Sequence, residues 1–242
     1  MSVFLRFWTL VANILCLPLH LMEAIGLYAI YKRIFPFCLY RISFKYNEKM
    51  HDKKKELFRN LSEFEKPGRP LTILEIGCGT GTNFQFYPAG SKVVCTDPNP
   101  HFQNYLKTTM KENQQLTYDR FVVASGENLS SVEDESVDAV VCTLVLCSVS
   151  DVRQTLREAH RILRPGGAFF FLEHVAADPS TWSHFFQHVL QPPWYYFGDG
   201  CWVTRETWKY LEEAGFSELK LRHIDAPLIF MIKPHIVGYA VK

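Results

Sequence analysis

Leu74-Glu75-Ile76-Gly77-Cys78-Gly79-Thr80-Gly81, with Asp97 just beyond the next short apolar run, is the stretch that decides the fold. Residues 71–76 are apolar with one acid, as expected of a parallel strand buried on both faces. The run ends in a turn with glycine at 77, 79 and 81, where the backbone can take positive φ or approach a ligand closely. Residues 92–96 read as a second strand, and Asp97 stands at its end, where a carboxylate can accept both hydroxyls of a ribose. A dinucleotide fingerprint requires a third glycine three positions after the second. That position is Thr82, so a single nucleoside is the expected ligand, and an ordinary glycine-rich strand-to-helix turn is the bland alternative.

From residue 71 onward strands and helices alternate, which implies a mostly parallel, doubly wound sheet with helices on both faces. Further strands are expected at 118–124, 139–144, 168–175, 219–224 and 236–241, making seven. Helices are expected near 83–87, from Pro98-Asn-Pro100 to about Lys111, over 152–163, and from a Thr204 cap to Ala214, with Gly215 at its end. Residues 178–201, rich in Trp and Tyr, read as irregular. Pro67-Gly-Arg-Pro70 punctuates the chain. The expected organisation is a hydrophobic anchor over 1–31, a basic helical linker over 32–66, and a catalytic α/β domain over 67–242.

The 242 residues are 48% hydrophobic and 21% charged, with a net charge of +1. That balance fits one globular domain with an appendage and excludes a general nucleic-acid binder, which carries a basic excess. Seven cysteines show no Cys-x-x-Cys spacing, which argues for free thiols in a reducing compartment and gives no expectation of a metal. No obligate protein partner is indicated.

The first thirty residues are almost wholly apolar. Their polar members Arg6, Thr9, Asn13, Cys16, His20 and Glu23 recur at steps of three and four, forming one narrow stripe down a helix that Pro18 should kink. A broad apolar face with one polar stripe fits one-sided insertion into a membrane interface. A single span would bring His20 and Glu23 near hydrocarbon, at a cost of a few kcal/mol unless they are partnered or near an end. A soluble helix covering the domain is the third reading. Lys32, Arg33, Arg41, Lys45, Lys49, Lys53, Lys54 and Lys55, opposed only by Glu48 and Asp52, form a basic cluster suited to anionic headgroups, or a solvated helix face.

Glu75-x-Gly-x-Gly-x-Gly81 resembles motif I of the class I methyltransferases, which bind S-adenosyl-L-methionine on a Rossmann-like sheet. Cys95-Thr-Asp-Pro-Asn-Pro100, Asp138-Ala-Val-Val-Cys142 and Arg161-Ile-Leu-Arg-Pro-Gly-Gly167 extend that resemblance in the right order. Pro18-Leu-His-Leu-Met22, Asn83-Phe-Gln-Phe-Tyr-Pro88, Thr143-Leu-Val-Leu-Cys-Ser148, Gly198-Asp-Gly200 and the terminal Val241-Lys242 make the chain similar, over essentially its whole length, to the microsomal thiol S-methyltransferases, the methyltransferase-like seven proteins. The resemblance implies a membrane-bound enzyme on the cytoplasmic face of the endoplasmic reticulum and on lipid droplets, methylating small alkyl thiols. A quinone or lipid C- or O-methyltransferase and a non-catalytic membrane tether are the competing functions.

The expected cofactor residues are Glu75, Gly77, Gly79, Gly81 and Asp97. The family pattern adds Asn99 and backbone contacts near Gly126 and Glu127. Ser125 stands where many relatives carry an acid for the adenine amine, leaving Glu127 as the nearest carboxylate. Substrate should enter beyond the carboxyl ends of strands four and five. That selects Thr143, which is also an expected cofactor contact, with Cys147, Ser148, Glu173 and His174, and Asp199 in a loop that could close over them. His174 is the candidate base, since its ordinary pKa lies near neutrality; a hydrogen-bonded structural histidine is the alternative. A thiol is already a few per cent ionised at pH 7, so positioning can carry much of the rate.

Overall fold

The computed structural model describes residues 3–242; the first two positions of the expected anchor lie outside them. Its centre is a seven-stranded sheet: β1 (Thr72–Ile76), β2 (Lys92–Asp97), β3 (Thr117–Val123), β4 (Val137–Thr143), β5 (Leu163–His174), β6 (Glu218–Asp225) and β7 (Pro234–Val241). The order is β3-β2-β1-β4-β5-β7-β6, with β1 to β5 parallel and β7 antiparallel to both neighbours. The seven expected strands are therefore all present. The order reverses between β1 and β4, and ligands of such sheets bind at that crevice.

Strand alternation feeds two cores. Ile73, Val93, Val141 and Phe170 face one side and pack with Phe58 and Leu61. Leu74, Val94, Val140 and Phe169 face the other and pack with Leu156 and Ile162. Burial on both faces explains why the central strands read as continuous apolar runs.

Among the described residues seven α-helices accompany the sheet: α1 (Val3–Leu15), α2 (Leu17–Ala24), α3 (Tyr28–Arg59), α4 (Gln103–Glu112), α5 (Val152–Ile162), α6 (Trp182–Phe197) and α7 (Thr207–Glu213). Three local expectations are corrected. Residues 83–87 form only a 3₁₀ turn, Phe84–Phe86. The last helix starts at Thr207 with Glu206, not Thr204, at its N-cap. The stretch read as irregular is α6, which runs through Pro192 and Pro193. Prolines disfavour a helix interior, but two buried glutamines hold this one. Gln187 Nε2 donates to Val175 O (3.0 Å) and Met231 O (2.9 Å), and Gln191 Nε2 donates to Cys201 O (2.9 Å).

At the N-terminus the chain bends by 51° between α1 and α2. The break falls at Cys16, and Pro18 sits in the first turn of α2, where its missing N–H costs nothing. Among the described residues no single helix is long and apolar enough to cross a membrane; the bent pair passes that test only when taken together, by length and composition. The last two members of the polar stripe meet α6. His20 Nδ1 lies 2.6 Å from the Tyr196 hydroxyl, which donates to Glu23 Oε2 at 2.9 Å. The apolar side faces outward: Phe4, Leu10, Leu17, Leu21 and Ile25 are all more than half exposed.

Candidate functional site

The turn after β1 carries Gly77, Gly79 and Gly81 at φ of 60°, 51° and 77°. The three glycines do different work. A Cβ at Gly77 would collide with Val145, and one at Gly81 would lie 2.7 Å from the Phe84 ring. Both therefore serve close packing. A Cβ at Gly79 would meet nothing nearer than Leu39 Cδ2 at 3.6 Å, so this is the glycine with an open approach.

Asp97, at the end of β2, reaches back to that glycine. Its Oδ2 accepts from Gly79 N (3.1 Å) and its Oδ1 from Asn99 N (2.8 Å). Burial pushes its carboxyl up to about 7, against the pull of those two amides; the charge of Asp199 adds to the rise. Asn99 is tied elsewhere: Nδ2 donates to Lys32 O at 2.7 Å, and Oδ1 accepts from His101 N at 3.1 Å.

Glu75 lies beneath the turn with both oxygens engaged, by Asn83 Nδ2 (2.7 Å) and the Tyr87 hydroxyl (2.6 Å). Burial raises it to about 7, while Tyr87, Asn83 and Lys54 oppose the rise. Asn83 Nδ2 also donates to Thr143 Oγ1 at 2.9 Å, and its Oδ1 is buried without a partner. Glu75 and Thr143 thus act through Asn83, which sequence reasoning did not single out. Gly126 is packed against α5, where a Cβ would fall 2.8 Å from Thr155. Glu127 is drawn to the start of α5, its Oε1 accepting from Ser150 N (2.6 Å) and Ser150 Oγ (2.8 Å). Burial would raise its carboxyl, but these donors hold it below the usual range.

Helix α3 roofs this end of the sheet. Asn47 Nδ2 donates to Thr82 O (2.8 Å), and the fully buried Lys54 donates to Asn47 Oδ1 (2.6 Å). Burial lowers the Lys54 ammonium to about 7, with Glu75 pulling it back up. Lys54 therefore does not belong to an outward basic face. The Tyr46 hydroxyl is buried without a partner, and its pKa is raised by burial and by Glu173 and Cys147.

At the ends of β4 and β5 the carboxylate of Glu173 organises the loop that packs on Gly77. Its Oε1 accepts from Val145 N (3.0 Å) and Leu146 N (3.1 Å), and Oε2 is buried with no partner. Burial and the neighbouring Cys147 raise it to about 8. His174 Nε2 lies 3.2 Å from Cys201 Sγ, and its Nδ1 has no partner. The sulfurs of Cys147 and Cys201 and a ring nitrogen of His174 all lie within 4.8 Å of one another, and all three residues are buried. Burial opposes ionisation of Cys147, yet the Cys201 thiol and His174 outweigh it and hold Cys147 well below an ordinary thiol. Burial likewise opposes a charge on His174, but Cys147 raises it overall.

Asp199 does not join them. At φ 48° its Oδ1 accepts from the Tyr28 hydroxyl (3.3 Å) and lies 3.9 Å from Lys32 Nζ. The expected catalytic set therefore divides: His174 and Cys147 come together with Cys201, while Asp199 ties the loop after α6 to the roof helix.

A family model described as a methyltransferase domain matches residues 74–171, the span from β1 to β5. Thiol S-methyltransferase TMT1A of Homo sapiens is 56% identical over 223 residues, 91% of each chain. The chain belongs to the thiol S-methyltransferases. Thiol S-methyltransferase TMT1B of Homo sapiens is 47% identical over the whole of both chains. Among solved structures, an S-adenosylmethionine-dependent methyltransferase of Thermotoga maritima, described as a possible histamine N-methyltransferase, superposes with a TM-score of 0.61 at 20% identity. It covers 89% of this chain and 99% of that one. A methyltransferase of Aquifex aeolicus gives 0.52 at 19% identity, over 78% and 92%. These two establish the class I methyltransferase fold.

The cofactor of this thiol S-methyltransferase is S-adenosyl-L-methionine. The site suits it: unused lone pairs on the Asp97 carboxylate for a ribose diol, an open face at Gly79, and the unpartnered Asn83 Oδ1 for a donor group. Tyr46, Asn47 and Lys54 of α3 were missed. The inward spacing of Met50, Lys54, Leu57 and Phe58 is the signal that could have found that face.

Proposed function

We propose that this enzyme methylates small alkyl thiols while seated one-sidedly on a membrane, at the cytoplasmic face of the endoplasmic reticulum and on lipid droplets. The 56% identity to a protein named as a thiol S-methyltransferase carries the substrate class. The outward apolar side of α1 and α2, with His20 and Glu23 of the polar stripe bonded to Tyr196 of α6, supports the membrane seat.

Bound S-adenosyl-L-methionine supplies an electrophilic methyl group on a sulfonium sulfur. The chain's part is to hold and align. Asp97 accepts from the ribose, and Gly79 lets the backbone approach. Asn83 links the β1 and β4 ends, so the two sides of the crevice keep a fixed separation. The α3 roof excludes water, which strengthens the pull of fixed dipoles on a thiolate. His174 has Nε2 engaged with Cys201, so as a base it would act through the unpartnered Nδ1; an in-line approach of an already ionised thiol needs no base at all.

Methyl transfer from labelled cofactor to a panel of alkyl thiols, phenols and quinones tests the substrate class. Turnover confined to thiols is expected; transfer to quinones or phenols in place of thiols overturns it.

A further inference from the structure

Three residues that the fold brings together from distant segments have no role in the scheme above. Cys147 lies in the loop after β4, His174 ends β5, and Cys201 follows α6. We propose that Cys147, His174 and Cys201 are three ligands of a zinc site whose fourth position takes the sulfur of the substrate thiol. The proposal rests on the thiol reading for that fourth ligand.

The geometry carries it. In tetrahedral zinc sites Zn–S is about 2.3 Å and Zn–N about 2.0–2.1 Å, which sets neighbouring ligand atoms roughly 3.3–3.8 Å apart. Here His174 Nε2 and Cys201 Sγ are 3.2 Å apart, and all three ligand atoms fall within 4.8 Å. The backbone holds the cluster together: Trp202 N donates to Cys147 O at 2.8 Å. Gln191 fastens the same loop through Cys201 O and Val203 N, each at 2.9 Å. Trp194 Nε1 donates to Cys201 Sγ at 3.1 Å, the kind of outer contact that orients a metal-bound sulfur.

The donor set selects the metal and the role. Two thiolates and an imidazole are soft ligands that favour zinc over magnesium or calcium. Structural zinc sites are closed by four protein ligands, whereas catalytic ones keep three and leave one position open. Among the described residues the group contains three. Zinc with two thiolates is neutral. A third thiolate makes the site singly negative, which a sulfonium neutralises.

The step balances without a redox partner. A thiol R–SH forms a Zn–S bond and loses its proton to solvent. A lone pair of the coordinated sulfur forms the new S–CH₃ bond as the C–S bond to the sulfonium breaks and its electron pair stays on the departing sulfur. The product is a neutral thioether, a poor zinc ligand, so it leaves; the zinc remains divalent.

The test uses the full chain in detergent. Purified enzyme should retain about one zinc per chain, and cobalt exchanged into it should show tetrahedral visible bands with a thiolate-to-cobalt charge-transfer band. A small alkyl thiol added without cofactor should intensify that band by about half, as a third thiolate joins two. Cys147→Ser and Cys201→Ser should each weaken zinc binding by more than the roughly 10–100-fold typical of losing an outer-shell partner, with cofactor calorimetry reporting whether each variant is folded. A wild-type enzyme that keeps neither metal after desalting, yet methylates thiols at full rate under strong chelator, overturns the zinc site and leaves thiol methylation standing. Cobalt bands indifferent to added thiol overturn the open position. Full metal occupancy with turnover of quinones instead of thiols strikes the substrate reading.

Discussion

Asn99 Nδ2 donates to the main-chain oxygen of Lys32 at 2.7 Å, joining the loop beside Asp97 to the helix that follows the apolar N-terminus. Leu39 against Gly79, Asn47 on Thr82, and Lys32 with Tyr28 on Asp199 continue the same seam. The roof of the cofactor site and the apolar N-terminal segment are therefore successive helices of one stretch of chain.

Asp97 should dominate cofactor affinity. Charge-assisted hydrogen bonds contribute about 1.5–3 kcal/mol each. Asp97→Ala should weaken S-adenosyl-L-methionine binding tenfold or more by calorimetry, with the circular dichroism spectrum unchanged. Unaltered affinity in a folded variant removes Asp97 from the site.

The pH dependence follows from the same carboxyl. Its folded-state pKa is raised to about 7, above its unfolded value. The stability contributed by the protonated buried form is complete below the ordinary carboxylate range and is lost as pH rises through about 7. The ionised form is the better acceptor for ribose hydroxyls. Cofactor binding should therefore tighten between pH 6 and pH 8 in the wild type, and Asp97→Asn should flatten that trend. An identical slope in both proteins assigns it to another group.

Tyr87→Phe should expose the cost of the buried Glu75. Removing the hydroxyl leaves Oε2 without its 2.6 Å donor, and an orphaned buried acceptor costs about 1–3 kcal/mol, more when charged. Thermal unfolding should shift down by several degrees. A Tm within a degree of wild type would mean the hydroxyl is dispensable.

Some of this was legible in the chain and some was not. The Gly77–Asp97 turn, the strands and the reversal they imply follow from local periodicity and glycine spacing, which report backbone geometry directly. The polar stripe was legible as a stripe, but the α6 partner of His20 and Glu23 was not, because Pro192 and Pro193 disguised α6; tertiary bonds from Gln187 and Gln191 overrode the local signal. Gly77 and Gly81 carry the motif yet pack against Val145 and Phe84, a distinction no spacing contains. Cys147, His174 and Cys201 show no ligand spacing because their proximity is created by three separate segments.

The two packing glycines should respond differently from the open one. Gly77→Ala combines positive φ with a collision against Val145, whose loop is pinned by Glu173. Gly79→Ala pays only for its φ of 51°, since its Cβ would meet Leu39 at ordinary contact distance. Gly77→Ala should lower stability more than Gly79→Ala, whose main effect should be on cofactor affinity. Equal losses of Tm in the two variants would deny the division of labour.

The membrane seat makes a prediction separable from folding. Leu21 and Ile25 are each 62% exposed on the outward side, so replacing them by glutamate removes little packing. Leu21→Glu with Ile25→Glu should move the protein from the microsomal to the soluble fraction while methyl transfer to a water-soluble thiol persists. His20→Ala should act in the opposite way. It removes the 2.6 Å contact with Tyr196 and loosens the seam to α6, lowering stability while leaving the apolar side intact to hold the membrane. Tags at the two chain ends complete the test. One-sided insertion places both in reach of protease added to intact microsomes. Protection of the N-terminal tag alone would mean that the bent pair of helices crosses the bilayer.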